Sequence, residues 1–483
     1  MQRKFFTNLS FLFFLNIIVK PIWIFGIDRT VQNTVGTANY GLYFTLFNLS
    51  LVINVILDLG ITNFNNTTIA QNPHLLGKYL PNVLTLKIAL SAIYIIATLI
   101  IGMCLGNHGM QLYLLFLLLL NQVLISMVLY LRSNISALHL FRMDSIISVS
   151  DKLITIIICS WLLLTVSLRQ HFTIEWYIYA QNISLLIILI VCLIIVRSKS
   201  PVFRLKLDWV FLRVIIKQSY PFALLILLMT AYTRIDAIMV QNLLGENGNR
   251  EAGIYASAYR LLDAFSQFGY LFAALLLPIF ARMIRQKSPV EQLVKLSFTT
   301  IFILSSITAL TIYFFRDNIM HLLYKDSSAY SASILGYLIF CFICTATVYV
   351  FGTLLTANRN LMKLSVIALV GLVLNFTLNY ILIPKYNAKG AAIAAIITQG
   401  IVAGLHIILA VTIFKLKTNV KLIVLLVIYF LLCSTVNYYA SHLLTINWKI
   451  NFILCGALDL AIAFILRLIS IKQVIELVRN PSF

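Results

Sequence analysis

The sequence predicts an all-α, polytopic membrane protein with about fourteen transmembrane helices, two parallel-repeat six-helix bundles followed by two C-terminal helices. Three observations carry that prediction. The 483-residue chain is 61% hydrophobic and only 11% charged, with a mean hydropathy of +0.97, so its apolar surface exceeds what a water-soluble globule can bury. Apolar runs of about 20 residues, enough to cross a hydrocarbon core of ~30 Å, recur along its whole length. The stretch Val31 to Gly36, VQNTVG, returns at Val240 to Gly245 as VQNLLG, the mark of a duplicated unit.

The first span, 5–28, follows Arg3 and Lys4 as a signal peptide would, but no small-x-small cleavage site follows and Lys20-Pro21 interrupts the run, so it reads as a retained helix. The next spans are 41–63 with Asp58, 80–104 with Lys87, 111–131, 145–167 with Asp151 and Lys152, and 174–196. A basic link, about 197–217, alternates basic and apolar letters and suits either an interfacial amphipathic segment or a plain charged connector. The second set is 217–240, opened by Pro221, then 252–281, 295–315, 332–356, 363–383 and 389–414, with 421–440 and 450–467 appended. In domain terms, 1–200 is an N-terminal bundle, 201–216 a cytoplasmic linker, 217–414 a C-terminal bundle, and 415–483 two extra helices with a cytoplasmic tail. No segment is long or polar enough for a separate soluble domain.

A formal charge of +21 would suggest nucleic acid in a soluble protein. Here it marks orientation. With the N terminus inside, roughly 23 Lys and Arg fall on the cytoplasmic side and roughly 8 outside, which places both termini in the cytoplasm and removes the case for a nucleic-acid partner. The seven Cys (104, 159, 192, 341, 344, 433, 455) lie in or at the ends of apolar segments and read as small buried hydrophobes; Cys341 and Cys344 have CxxC spacing but no second Cys or His pair nearby, so no metal is expected.

The duplication extends past six letters. IDRTVQNTVGTANYGLYFTLFNL (27–49) answers RIDAIMVQNLLGENGNREAGIYASAYRL (234–261), with Gly41-Leu42-Tyr43 matched by Gly253-Ile254-Tyr255. Each copy covers a helix end, a polar hairpin loop and the start of the next helix. Six spans separate the copies, and an even offset makes the repeats parallel, with both loops on one side of the membrane.

Ionisable groups within spans cost about 2.5–3.5 kcal/mol each on insertion scales, so they persist where they meet a partner or a watery cavity. Lys20, Asp28 and Arg29 on helix one, Asp58 on helix two, Arg234 and Asp236 on helix seven, and Arg260 and Asp263 on helix eight form such a set, expected in a cleft where these four helices meet. Arg260 and Asp263, three apart, equally suit mutual pairing. Lys20 and Arg234 read as deeper, without an adjacent same-face acid, and Lys87, Asp151 and Lys152 as near enough to the cytoplasmic ends to snorkel. Cations in a groove suit phosphate or pyrophosphate, while the accompanying acids leave open a cation or drug exporter coupled to protons or sodium.

The pattern Arg29, Gly36, Gly41, Tyr43, then 234–261, then TANRNLMKLSVIALVGLVLNFTLNYILIPKYNAKGAAIAAI at 356–396, resembles the Wzx-type oligosaccharide (O-antigen/polysaccharide) flippases of the multidrug/oligosaccharidyl-lipid/polysaccharide (MOP) exporter superfamily. The resemblance implies a flippase of the bacterial cytoplasmic (inner) membrane. Such a protein moves an undecaprenyl-pyrophosphate-linked oligosaccharide, a lipopolysaccharide or surface-polysaccharide repeat unit, from inner to outer leaflet by alternating access. Arg29, Arg234 and Arg260 are then expected to contact substrate, with Lys20 added on physical grounds, and Asp28, Asp58, Asp236 and Asp263 to serve as pairing or coupling groups. Its partners would be the lipid-linked substrate, membrane lipid, and the polymerase and glycosyltransferases of the pathway; no cofactor is expected beyond coupling to H+ or Na+. A drug exporter of the same superfamily and a membrane polymerase or ligase are the alternatives. The short external loops, the scattered His108, His171, His321 and His442, and the lack of a phosphate-binding glycine loop ending in Lys-Ser or Lys-Thr speak against an enzyme.

Overall fold

The structure, a computed structural model, describes residues 15–16, 18–62, 65–66, 69, 72–199, 209–417, 419–443 and 447–468. Among these it is helical, without strands, and thirteen helices are long and apolar enough to cross a membrane. The first predicted span, 5–28, lies partly outside the described residues. Its described remainder is helical at 18–21 and continues as a π-helical turn, Ile22–Asp28, running into α1 (Arg29–Val35). The thirteen membrane helices are α2 (Thr37–Ile53), α3 (Leu76–Cys104), α4 (Met110–Ala137), α5 (Phe141–Leu164), α6 (Ile174–Arg197), α7 (Trp209–Leu243), α8 (Gly248–Arg285), α9 (Glu291–Phe314), α10 (Ala329–Ala357), α11 (Leu361–Tyr386), α12 (Ala388–Phe414), α13 (Val420–Leu443) and α14 (Trp448–Ile465).

Large apolar side chains face outward at exposures no water-facing surface would sustain, such as Leu164 at 81%, Ile157 at 67% and Ile465 at 77%. These helices therefore present their flanks to lipid, and the chain is a multi-pass membrane protein. Five cysteines are buried and Cys344 is half-buried, but Cys104, at the end of α3, is exposed, contrary to the expectation that all seven are buried.

Two compact units divide the chain, Met1–Ala256 and Ser257–Phe483. In the first, α4 packs on α6 and α3, α5 packs on α6, and α2 packs on α7. Its apolar core joins Leu80 and Val83 of α3, Leu131 of α4, Ile147 of α5 and Ile188 and Cys192 of α6. The second unit repeats this pattern six helices later: α10 packs on α12 and α9, and α11 on α12. The same neighbours at an even offset are what a parallel repeat requires. The sequence boundaries at 200, 217 and 414 follow the repeat, whereas the compact units follow packing.

Three local departures have physical causes. Helix two does not run unbroken to residue 63: α2 tightens into a 3₁₀ turn at Asn54–Leu57 and breaks at Leu59 and Gly60, whose φ angles are +46° and +81°. Pro221 does not open helix seven, because α7 begins at Trp209 and carries that proline inside. The basic link is thus helical from Trp209, while residues 200–208 lie outside the described set. In helix one, Pro21 directly precedes the π-helical turn; its missing N–H and ring are a recognised cause of such an irregularity.

Candidate functional site

The twin stretches form one contact. Gly36 ends α1 at φ +86° and Gly245 follows α7 at φ +54°, so the glycine after each VQN occupies a conformation other residues adopt poorly. The second glycine of each copy brings backbones together. A Cβ on Gly41 would stand 1.9 Å from the Asn249 carbonyl oxygen and 2.5 Å from the Gly253 nitrogen, and one on Gly253 would stand 1.9 Å from the Thr37 carbonyl oxygen. Gln32 Nε2 donates to the Gly253 carbonyl at 3.1 Å and Thr45 Oγ1 to that of Ala237 at 3.3 Å. Gln241 in the second copy secures its own loop, donating to Asn249 Oδ1 at 2.8 Å. Each copy is thus half of a glycine-lined interface between two hairpins within the first unit.

Beneath it lie two aspartates. Asp28, 1% exposed, accepts from the Tyr40 hydroxyl at 2.6 Å and the Tyr177 hydroxyl at 2.8 Å; Asp236, 2% exposed, accepts from the Tyr255 hydroxyl at 2.8 Å. In both copies a tyrosine of the following helix satisfies the acid of the preceding one, though from different repeat positions, Tyr40 in the first and Tyr255 in the second. Hydrogen bonds to a charged group contribute ~1.5–3 kcal/mol, so Tyr40→Phe and Tyr177→Phe are each expected to lower thermal stability by about that amount. Melting curves in one detergent check this; a midpoint equal to wild type for both variants would refute it.

Arg29 and Arg234 flank these acids and are half-buried. The Nε of Arg29 is buried and makes no hydrogen bond, and no acid pairs with this guanidinium among the described residues. Arg260 is 5% exposed and pairs with Asp263 at 4.0 Å, as their spacing allows.

A second cluster holds the break in helix two. Lys87, 1% exposed, donates to Asp58 Oδ1 at 2.8 Å, the Leu57 carbonyl at 3.1 Å and Ser126 Oγ at 2.8 Å. This corrects the expectation of a snorkelling Lys87: its ammonium caps the broken end of α2, where carbonyls lack helical partners. Asp58 is therefore the counterion of Lys87, and its carboxylate also accepts from the Thr62 hydroxyl.

A third cluster gathers on α4 and α5. Lys20, which has no adjacent acid on its own helical face, lies in the field of Lys152, Asp151 and Arg132 from neighbouring helices. Lys152 Nζ sits 3.2 Å from Asp151 and over the Trp23 ring at 4.7 Å, while Arg132 Nε meets Asp144 at 2.8 Å. Asp151 and Lys152 are half-buried midway along α5, not at its end. Arg132 was missed because the predicted span stopped at 131, one residue short, while α4 continues to Ala137. Asp459, fully buried on α14, was missed although a lone carboxylate in an apolar span was itself the signal. Among the described residues no group of three or more His, Cys, Asp or Glu is placed to hold a metal.

The second unit contains an apolar cavity of about 800 Å³, whose walls include Phe298, Phe302, Phe340, Phe351 and Phe430 and whose polar lining includes Lys295 and Lys417.

A family model described as "Polysaccharide biosynthesis protein" matches residues 7–284, more than half of the chain. No curated protein sequence matches it. Among solved structures, the lipid II flippase MurJ in an inward closed conformation aligns with TM-score 0.72 at 15% identity, covering 95% of this chain and 98% of that one. An outward-facing multidrug resistance MATE family transporter of the MOP superfamily aligns at 0.59 and 13% identity, over 85% and 94% of the two chains. A MOP superfamily transporter from Pyrococcus furiosus, described as having a binding pocket of reverse polarity, aligns at 0.59 and 14% identity, over 85% and 95%. At such identities the likeness is one of fold.

Proposed function

The chain belongs to the polysaccharide biosynthesis protein family, and from that premise we propose that it is a flippase carrying an undecaprenyl-pyrophosphate-linked oligosaccharide from the inner to the outer leaflet of a bacterial cytoplasmic membrane. Its fold, shared with MOP superfamily transporters, supports a mechanism of alternating access. The observation that carries the reading is Arg29: a half-buried guanidinium whose Nε is buried without a hydrogen bond, with no acid paired to it among the described residues. Such a group suits an arriving phosphate, to which arginine donates in parallel pairs. In the first unit Arg234, two residues before the other buried aspartate, extends the cationic set, and Lys20, Arg132 and Lys152 supply another; Arg260 stands in the second unit. The apolar cavity offers a surface for a polyprenyl chain.

In this reading Asp28 and Asp236 hold the tyrosines that shape the arginine sites, Asp58 and Asp263 pair with cations, both termini are cytoplasmic, and the O-antigen or other surface-polysaccharide pathway supplies and consumes the cargo. Losing a charge-assisted contact worth ~1.5–3 kcal/mol lowers a rate roughly ten- to hundredfold. Arg29→Ala, Arg234→Ala and Arg260→Ala are therefore each expected to cut delivery of lipid-linked sugar to the outer leaflet by at least that lower figure, at unchanged amounts of inserted protein. Undiminished delivery by the three variants would sink the proposal. Acids that nearly balance the cations, together with the MATE-like fold, favour a cation-coupled drug exporter as the second reading; altered drug resistance in cells lacking the gene, with surface sugar intact, would select it.

A further inference from the structure

Facing stripes on the last two helices meet at a buried acid. Tyr429, Cys433 and Asn437 follow one another at i, i+4, i+8 on α13, and Asn451, Cys455 and Asp459 do the same on α14, so each set shares one helical face. Tyr429, Cys433, Asn437, Cys455 and Asp459 are wholly buried. Asn437 Nδ2 donates to both carboxylate oxygens of Asp459, at 2.9 Å and 2.8 Å. No Lys, Arg or His pairs with Asp459 among the described residues. Two further oxygens beside it have no hydrogen bond: Asn437 Oδ1 and the Tyr429 hydroxyl.

An ionised carboxylate in this setting has only a neutral amide and the Cys433 thiol as its support, and burial without a countercharge strongly disfavours it. A proton removes the problem. Asn437 Nδ2 also donates to the Cys433 carbonyl at 2.9 Å, so when the amide turns to let Oδ1, idle in the present arrangement, accept from the new acid O–H, its nitrogen leaves both the carboxylate and that carbonyl. A hard alkali cation is a poorer occupant, because the thiols of Cys433 and Cys455 stand where further oxygen ligands would be needed. The other groups around Asp459 are those thiols and the Tyr429 phenol; α9 contributes Ile303, Ile307 and Leu310, with no ionisable side chain between Lys295 and Tyr313.

We propose that Asp459, read by Asn437, is a proton-binding site whose loading holds α13 against α14 and whose loss of the proton is coupled to displacement of α13 from α14, the proton coming from and returning to water. It rests on the flippase reading only for the cargo that the proton would drive. The pair is suited to move. In each of α13 and α14 only 22% of the membrane window is buried, against 67% in α10, and the apolar cavity of about 800 Å³ lies against Leu426 and Phe430, next to Tyr429. Helices held by a single face open at the lowest cost.

The test uses full-length protein in lipid nanodiscs and in proteoliposomes. During a pH titration, wild type and Asp459→Glu are expected to show a protonated-acid C=O band in the infrared that Asp459→Asn lacks and Asn437→Leu displaces. At one alkaline pH, maleimide labelling of Cys433 and Cys455, read by mass spectrometry, is expected to be about tenfold slower in Asp459→Asn than in wild type. In proteoliposomes holding undecaprenyl-pyrophosphate-linked oligosaccharide, an imposed pH gradient is expected to accelerate wild type but not Asp459→Asn, whose gradient-free flipping persists. An acid band or labelling rate unchanged in Asp459→Asn overturns the proposal, as does acceleration of wild type by a sodium gradient at constant pH that Asp459→Asn abolishes. If wild type moves no lipid-linked sugar, the flippase reading fails, while the infrared and labelling results still decide the proton site.

Discussion

Alanine at Gly41 or at Gly253 is expected to abolish transport in a protein that still folds and inserts. The added Cβ would fall 1.9 Å from a backbone carbonyl in either case, Asn249 for Gly41 and Thr37 for Gly253. No rotamer relieves such a clash, since Cβ is fixed by the main chain and its neighbour is main chain too. Overpacking of this kind costs ~1–3 kcal/mol, occasionally more. The cost applies only to the arrangement in which the two hairpins touch, so an alternating protein is pushed out of that state rather than unfolded. At 1.4 kcal/mol per factor of ten, the touching population falls by roughly ten- to hundredfold. Spin labels at Asn39 and Glu246, both exposed, are expected to report longer distances in either variant than in wild type. Gly400→Ala is the control: nothing lies within 4 Å of its added methyl, and in the interior of α12 alanine is the better helix former. Gly36→Ala falls between, with open space but a backbone at φ +86° and ψ +158° that alanine adopts only at a cost of ~1–3 kcal/mol. Unchanged distances and full transport in both Gly41→Ala and Gly253→Ala would show that the hairpins do not use this contact.

That contact explains why so much of the fold was legible. Lipid demands long apolar helices, and their lengths were visible wherever the run was uninterrupted, from α4 to α13. The repeated polar letters were visible because the same backbone problem had to be solved twice, at Gly36 with Gly41 and at Gly245 with Gly253. What sequence could not reveal was pairing across helices. Asp28 meets Tyr177 from 149 residues away, and Lys87 meets Asp58 across 29, distances set by helix rotation and packing rather than by any local period. Depth misled in the same way. Asp151 and Lys152 counted as terminal only while α5 was taken to begin at 145; with its start at Phe141 they move toward mid-helix, into reach of Lys20. The break at Leu59-Gly60 lay hidden because its apolar letters continue the span, and only the capping by Lys87 marks it as built.

The cap leads to the second large effect, and its direction is not the intuitive one. Lys87 is 1% exposed, whereas the Asp58 side chain is 34% exposed. Removing the acid with Asp58→Asn leaves a wholly buried ammonium among neutral oxygens, the situation in which breaking a buried pair costs ~3–5 kcal/mol. Removing the base with Lys87→Met leaves a carboxylate that water already reaches. Leu57 loses one donor but keeps the Ser126 hydroxyl at 3.2 Å, so the expected cost is only ~1–3 kcal/mol. Lys87→Met combined with Asp58→Asn strands no charge and is expected to recover to within about 1 kcal/mol of wild type, since apolar replacement of a buried pair is often neutral. Unfolding of all four proteins in one detergent closes the double-mutant cycle. A milder effect from Asp58→Asn than from Lys87→Met, or simple additivity in the double variant, would show that the ammonium is not held by this carboxylate. The break in α2 would then require another support.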